Sequence, residues 1–357
     1  MIRMPARAGL HAATLALGLT LASCTAAPPP PSSLLAEGDG TVSTIAEELD
    51  APWSVAFVDG APLISERDSG RVLEIAEDGS TRVIGVVENV VAEGESGLLG
   101  LAVAGRTLFA YSTGSDGNRI QRFEVSGERG SLELGPAETI LDAVPAARTH
   151  DGGRIAVGPD GMLYATVGDA GQREAAQDPD SLSGKILRMT LDGEVPDDNP
   201  FPDSLVYSSG HRNPQGLTWS SDGTLFATEF GQDTWDELNI ITPGANYGWP
   251  VVEGIAEKGD FVDPVQQWEP DVASPSGMTA IDDVLYIANL RGQVLRAVPV
   301  AEPSTQTDYA IGEYGRLRDA VAAPDGQLWI VTSNTDGRGS PAAEDDRVLA
   351  VDPPEVK

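Results

Sequence analysis

The chain has 357 residues, 55 acidic side chains against 23 basic ones, a formal net charge of −32 and one cysteine. That balance repels nucleic acid and anionic lipid surfaces at long range, and a lone cysteine excludes disulfides and thiolate metal sites from the rest of the chain. Forty glycines and twenty-six prolines, with almost no long segment of 3.6-residue period, exclude a helical protein.

The first element is an export segment at residues 1–24. Arg3 and Arg7 precede an apolar run from Ala8 to Ala22, too short to span a membrane, and Leu21-Ala22-Ser23-Cys24 closes it. Leu-Ala-Ser-Cys is the bacterial lipobox pattern, in which Cys24 carries the lipid and holds an exported protein at the outer face of the cell membrane. An ordinary signal peptide with an incidental cysteine, giving a periplasmic or secreted protein, is the alternative. Residues 25–40, with four consecutive prolines, read as an extended tether. Membrane contact is then expected only through the lipid on Cys24, and residues 41–357 are expected to form one large domain.

From there one pattern recurs: an apolar strand, an Asp-Gly-type turn and a second apolar strand. It appears at 53–64, 99–109, 154–164, 216–226, 277–286 and 320–329. Asp-Gly between alternating apolar runs signals a hairpin. Further short strands follow, such as Arg71-Val-Leu-Glu-Ile, Lys185-Ile-Leu-Arg-Met, Gln293-Val-Leu-Arg-Ala and Arg347-Val-Leu-Ala-Val. A small sheet repeated six times cannot bury both faces alone, so the copies stack around an axis. The expected fold is all-β, a six-bladed β-propeller of four-stranded antiparallel blades; a sandwich does not repeat one hairpin so regularly. The longer loops, at 145–154, 167–184, 208–216 and 229–250, are expected to build a site at the mouth of the central channel.

Beyond residue 24 two histidines remain, in Thr149-His150-Asp-Gly-Gly-Arg154 and Gly210-His211-Arg-Asn-Pro-Gln-Gly216. Imidazole is the default proton acceptor near neutral pH. The hairpin that starts after His150 ends at Gly168-Asp169-Ala-Gly171, which returns a carboxylate to the same sheet edge, where it can orient the imidazole. An ordinary turn histidine and a turn aspartate capping its own backbone are the plain alternatives. Arg212 with Asn213 suits a carboxylate or quinone oxygen, and Arg291, Arg316 and Arg318 suit a ligand with several carboxylates. Residues 316 and 318, two apart, project to one side of a strand; surface ion pairs are the alternative for all three. The stretch Gly231-Gln-Asp-Thr-Trp-Asp-Glu237, followed by Gly244-Ala-Asn-Tyr247-Gly-Trp249-Pro, offers carboxylates and carbonyls, the ligand set of calcium.

In this order and spacing the motifs Pro52-Trp53, Gly97-Leu-Leu-Gly100, His150-Asp-Gly-Gly-Arg154, Gly168-Asp-Ala-Gly171, Gly210-His-Arg-Asn-Pro-Gln-Gly216, Asp236-Glu-Leu-Asn239, Gly244-Ala-Asn-Tyr-Gly-Trp-Pro250 and Arg316-Leu-Arg-Asp319 resemble one family. It is the pyrroloquinoline quinone (PQQ)-dependent soluble glucose and aldose sugar dehydrogenases, and the likeness runs from about Leu49 to Val351. The resemblance implies oxidation of an aldose at C1 to the lactone. It makes His150 the base, Asp169 the acid that orients it and Arg212 the arginine over quinone and substrate, with Asn213 beside it. It puts Arg291, Arg316 and Arg318 on the cofactor, calcium on the carbonyls of Gly231 and Gln232, and a second calcium at Glu237 and Tyr247.

Three positions depart from the family. Glu95 replaces an amide near the cofactor, where a carboxylate would repel an anionic quinone unless calcium or arginine intervenes. Gln232 stands for a proline, and Thr149 for an aspartate. No Gly-rich dinucleotide motif and no haem-attachment motif occurs, so electrons are expected to leave to an external acceptor. The same fold admits two rivals, a calcium-dependent lactonase and a non-catalytic sugar- or protein-binding module.

Overall fold

The structure, a computed structural model, describes residues 42–354 and Val356. The export segment at 1–24 and the tether at 25–40 lie outside the described residues.

Six antiparallel sheets follow one another as six blades. Their inner strands are Pro52–Val58, Leu98–Ala104, Ile155–Val157, Pro214–Trp219, Pro275–Ile281 and Leu317–Ala322. The expected architecture therefore holds. Each inner strand pairs with the next strand in the chain, as the repeated hairpin required. The turns differ in detail. Asp59 and Gly60 both take left-handed φ in a two-residue turn, as do Asp282 and Asp283, the geometry that suits tight hairpins. The turns around Gly161, Gly223 and Gly326 are longer, with a left-handed glycine. The second blade gains a short extra strand, Glu133–Leu134.

Two features went unforeseen. Strand Ser43–Ala46 pairs with Val348–Val351, so the sixth blade is built from both ends of the domain and the ring is closed by hydrogen bonds. The segment at 229–250, expected to be one loop, contains the strand Asp236–Ile241. The chain then leaves the fourth blade, runs beside the outer strand of the third through a parallel bridge between Ser209 and Asn246, and turns back.

Six apolar clusters hold the ring together, each filling the space between two neighbouring blades. Phe109, Tyr111 and Val144 of the second blade meet Ile155, Leu163 and Leu187 of the third, for example; Ala46, Val348 and Ala350 of the sixth meet Val55, Ile64 and Ile75 of the first. The axis itself is polar. Arg154 donates from Nη1 to Asp319 at 3.0 Å and Ser54 at 3.2 Å, and from Nε to the Gln215 carbonyl at 3.0 Å. Arg318 donates to Gln215 Oε1 at 2.8 Å and Ser276 Oγ at 3.2 Å. Both guanidiniums face the buried Trp53 ring, at 4.3 and 5.7 Å. A Cβ on Gly277 would lie 1.8 Å from Asp319 Oδ1, so glycine is required where this plug meets the inner strand.

Candidate active site

The starts of the inner strands and the ends of the second strands share one face, and the predicted residues collect there. His150 precedes the inner strand of the third blade and has a left-handed φ of 65°. Its neighbour Asp151 is buried and accepts hydrogen bonds from Ser96 Oγ, Asn118 Nδ2 and the Ala147 amide, which fixes the loop that carries the imidazole. The second strand of the same blade ends at Gly168, where a Cβ would sit 1.8 Å from the His150 carbonyl. Only glycine lets the two segments approach this closely.

Across that contact His150 Nδ1 meets Asp169 Oδ1 at 2.7 Å. Asp169 is fully buried, while the imidazole is about one-fifth exposed, at 19%. Burial alone would raise the Asp169 carboxyl, but hydrogen bonds from His150, the Gly171 amide and Trp249 outweigh it and hold the group below its ordinary value. An ionised Asp169 requires the proton of a neutral imidazole on Nδ1, so Nε2 is the acceptor.

The second histidine does other work. His211 is fully buried, bonded to Ser208 Oγ at 2.8 Å and Glu229 Oε2 at 2.9 Å, and stacked on Tyr247. Burial pulls its pKa down to about 3 and pushes Glu229 up to about 8. This imidazole is a structural group in its neutral form.

Arg212 stands beside the pair, since the Asp169 amide donates to the Arg212 carbonyl at 2.7 Å. Its own amide donates to Glu229 and its Nη1 to the Phe230 carbonyl, while Nε is buried without a partner among the described residues. Asn213 is buried, accepts from the Gly152 amide and donates to Glu95 Oε2. Glu95 accepts the His150 main-chain amide at 2.9 Å and pairs with Arg338 at 3.2 Å. The arginine needed to offset this carboxylate is therefore present, from a loop of the sixth blade.

Arg316 and Arg318 share an acidic partner, Asp336, at 3.0 and 3.9 Å. The strand begins at Leu317, so Arg316 lies one residue before it, and a register shift lies between Leu317 and Asp319; the two side chains nevertheless converge on the one carboxylate. Burial pulls Arg318 down to about 9; Asp336 opposes this, while Arg316 and Arg67 add to it. Nε of both Arg316 and Arg318 is buried and unpartnered among the described residues. Arg291 lies on the same face but apart: its side chain is 60% exposed and pairs with Asp271, with no contact to the His150 group.

The predicted cation ligands occupy the fourth blade. The amides of Gly231 and Gln232 donate to Asp236 and Glu253, and among the described residues their carbonyls accept no main-chain hydrogen bond. Glu237 is buried, accepts from Asn239 and the Gly254 amide, and burial pushes it up to about 7, with Glu229 adding to the shift. The buried Oδ1 of Asn239 has no partner among the described residues. Tyr247 spends its hydroxyl on the Ile240 carbonyl and the Thr242 amide, so its main-chain carbonyl is what it can offer an ion. These oxygens fit calcium, although no cluster of three or more His, Cys, Asp or Glu side chains with metal-site geometry occurs among the described residues.

Arg67, Trp249, Asp336 and Arg338 were not singled out from the sequence as site residues. Arg67 and Asp336 follow second strands, as Asp169 does, but one, four and two residues past the strand end respectively, so the repeat alone does not pick them out.

A family model described as Glucose / Sorbosone dehydrogenase matches residues 49–340. The PQQ-bound aldose sugar dehydrogenase of Streptomyces coelicolor is 45% identical, with a TM-score of 0.83 over 88% of this chain and 98% of that one. Aldose sugar dehydrogenase YliI of Escherichia coli is 32% identical over 83% of this chain and 91% of its own length. Quinoprotein glucose dehydrogenase B of Acinetobacter calcoaceticus is 31% identical over 61% of this chain and 54% of its own.

Proposed function

The chain belongs to the Glucose / Sorbosone dehydrogenase family, and on that premise we propose that it is a PQQ-dependent enzyme that oxidises an aldose at C1 to the lactone. The observation that carries this is the 2.7 Å contact between His150 Nδ1 and the buried Asp169, set beside guanidiniums with unpartnered buried N–H groups. His150 Nε2 takes the C1 hydroxyl proton, and Asp169 fixes the tautomer and stabilises the imidazolium that forms. PQQ, when bound, supplies the two-electron acceptor for the hydride leaving C1. Arg316, Arg318 and Arg212, with Asn213 beside them, would hold its acidic groups, and Arg291 would reach it only by leaving Asp271. Arg338 screens Glu95 so that the site tolerates an anion.

Calcium would be held by the carbonyls of Gly231 and Gln232 and, at a second position, by Glu237 with the Tyr247 carbonyl. Reducing equivalents then pass to an external acceptor. Lipid attachment at Cys24 of the export segment and an extracytoplasmic location complete the reading.

The test is dye reduction by the purified protein with a panel of aldoses, with and without PQQ and calcium. Turnover that requires the quinone and is lost in His150→Gln supports the reading. Quinone-independent lactone hydrolysis would transfer the protein to the lactonase class, and no turnover with any aldose would leave a binding module.

A further inference from the structure

Trp249 has no part in the chemistry above, yet it touches two groups that do. Its indole Nε1 donates to Asp169 Oδ2 at 2.8 Å, the oxygen that His150 leaves free. Its ring faces the Arg212 guanidinium at 5.5 Å and that of Arg173 at 4.6 Å. The ring is only 4% exposed. Its place is set independently of Asp169: the Trp249 amide donates to the Gly210 carbonyl at 3.0 Å, and Gln177 Nε2 donates to the Trp249 carbonyl at 2.6 Å.

We infer that Trp249 is a positioning residue that couples the His150–Asp169 pair to Arg212. The inference rests on the reading of His150 as the base. A carboxylate bonded through one oxygen to an imidazole and through the other to a fixed indole cannot rotate away from the imidazole. The indole N–H also draws negative charge toward Oδ2, so Asp169, whose Oδ1 already accepts the Gly171 amide, stabilises the imidazolium less than it would without that bond. The charged groups around the imidazole are Asp169 itself, Glu95 on its main-chain amide, Arg338 behind Glu95, and Arg212 and Arg173 across the indole.

Trp249→Phe keeps a ring under both guanidiniums and removes the donor. NMR of the full chain without quinone reads the outcome directly, because it contains three histidines and the His150 signal is identified by its loss in His150→Gln. In folded Trp249→Phe the His150 midpoint is expected to rise by about half a unit to one unit, on the order of one charge-assisted hydrogen bond partly redistributed. The acid limb of kcat/KM should move by the same amount, which a loss of packing alone would not produce. In the wild type, whatever the variant does, the Trp249 indole proton should shift with the His150 midpoint. An unmoved His150 midpoint in the folded variant overturns the inference, as does an indole resonance that stays flat through the His150 titration. If both responses appear but no aldose is oxidised, the coupling stands and the dehydrogenase reading fails.

Discussion

Glu237 offers a sharp test of the cation site, because its carboxyl is buried with no Lys or Arg side chain against it among the described residues. Burial, with Glu229 adding to it, lifts its pKa from the ordinary 4.5 to about 7. At about 1.4 kcal/mol per unit this is roughly 3 kcal/mol by which the ionised group destabilises the metal-free fold. The sign follows from proton counting: between the two values the folded state binds more protons than the unfolded state, so stability falls as pH rises from about 4.5 to about 7 and stays low above. Glu237→Gln keeps an oxygen for the Gly254 amide, and its new amide donor pairs with Asn239 Oδ1 once the Asn239 carboxamide, which presents Nδ2 to Glu237 in the wild type, turns over. In EDTA at pH 8 this variant should melt higher than the wild type, by roughly 5 °C for roughly 3 kcal/mol in a domain of this size, and at pH 5 the gain should largely vanish. Calcium should raise the melting temperature of the wild type at pH 8 by more than that of the variant, which keeps only the position at the Gly231 and Gln232 carbonyls. Calorimetry at the two pH values, with EDTA or calcium, decides it. A variant less stable than wild type in EDTA at pH 8 refutes the burial argument. An equal calcium shift in both proteins removes Glu237 from the ligand set.

Asp169→Asn should lower kcat of aldose oxidation on the order of 10³-fold with little change in KM, because the amide favours the wrong imidazole tautomer; steady-state dye reduction reads both constants. Arg316→Met should weaken PQQ binding by about tenfold or more, through loss of one charge-assisted contact, measured by equilibrium titration of the quinone. Gly277→Ala, with its Cβ 1.8 Å from Asp319 Oδ1 and 2.6 Å from Arg154 Nη2, should cost more than about 3 kcal/mol. A urea midpoint close to that of the wild type would refute the account of the axial plug.

The fold was legible because its signal is local and repeated. A turn such as Asp59-Gly60 sits between two strands that pair with each other, so a window of a dozen residues contains the whole unit. Closure by Ser43–Ala46 was not legible, since nothing in those four residues names a partner some three hundred residues away. The site divides in the same way. His150 and Asp169 belong to one hairpin, and the sequence brings them together by counting strands. His150 and His211 look alike in sequence, each beside Gly, Arg and Asn or Asp, yet one is partly exposed and the other is buried against Glu229. That difference depends on the excursion that carries Tyr247, which periodicity does not reveal.

Glu95 shows why local rules fail at such a site. Judged alone, a carboxylate there opposes an anionic ligand. In the fold it accepts the amide of His150, held in a left-handed conformation, and Asn213 Nδ2, and it meets Arg338. Each of these partners comes from a different blade, the third, the fourth and the sixth, so no stretch of sequence contains the compensation. The same convergence explains how a chain of net charge −32 gathers Arg316, Arg318, Arg338 and Arg212 on one face. The acidity of the whole governs long-range steering, whereas at contact distance the few guanidiniums placed by the inner strands and the loops around them decide the sign of the local field.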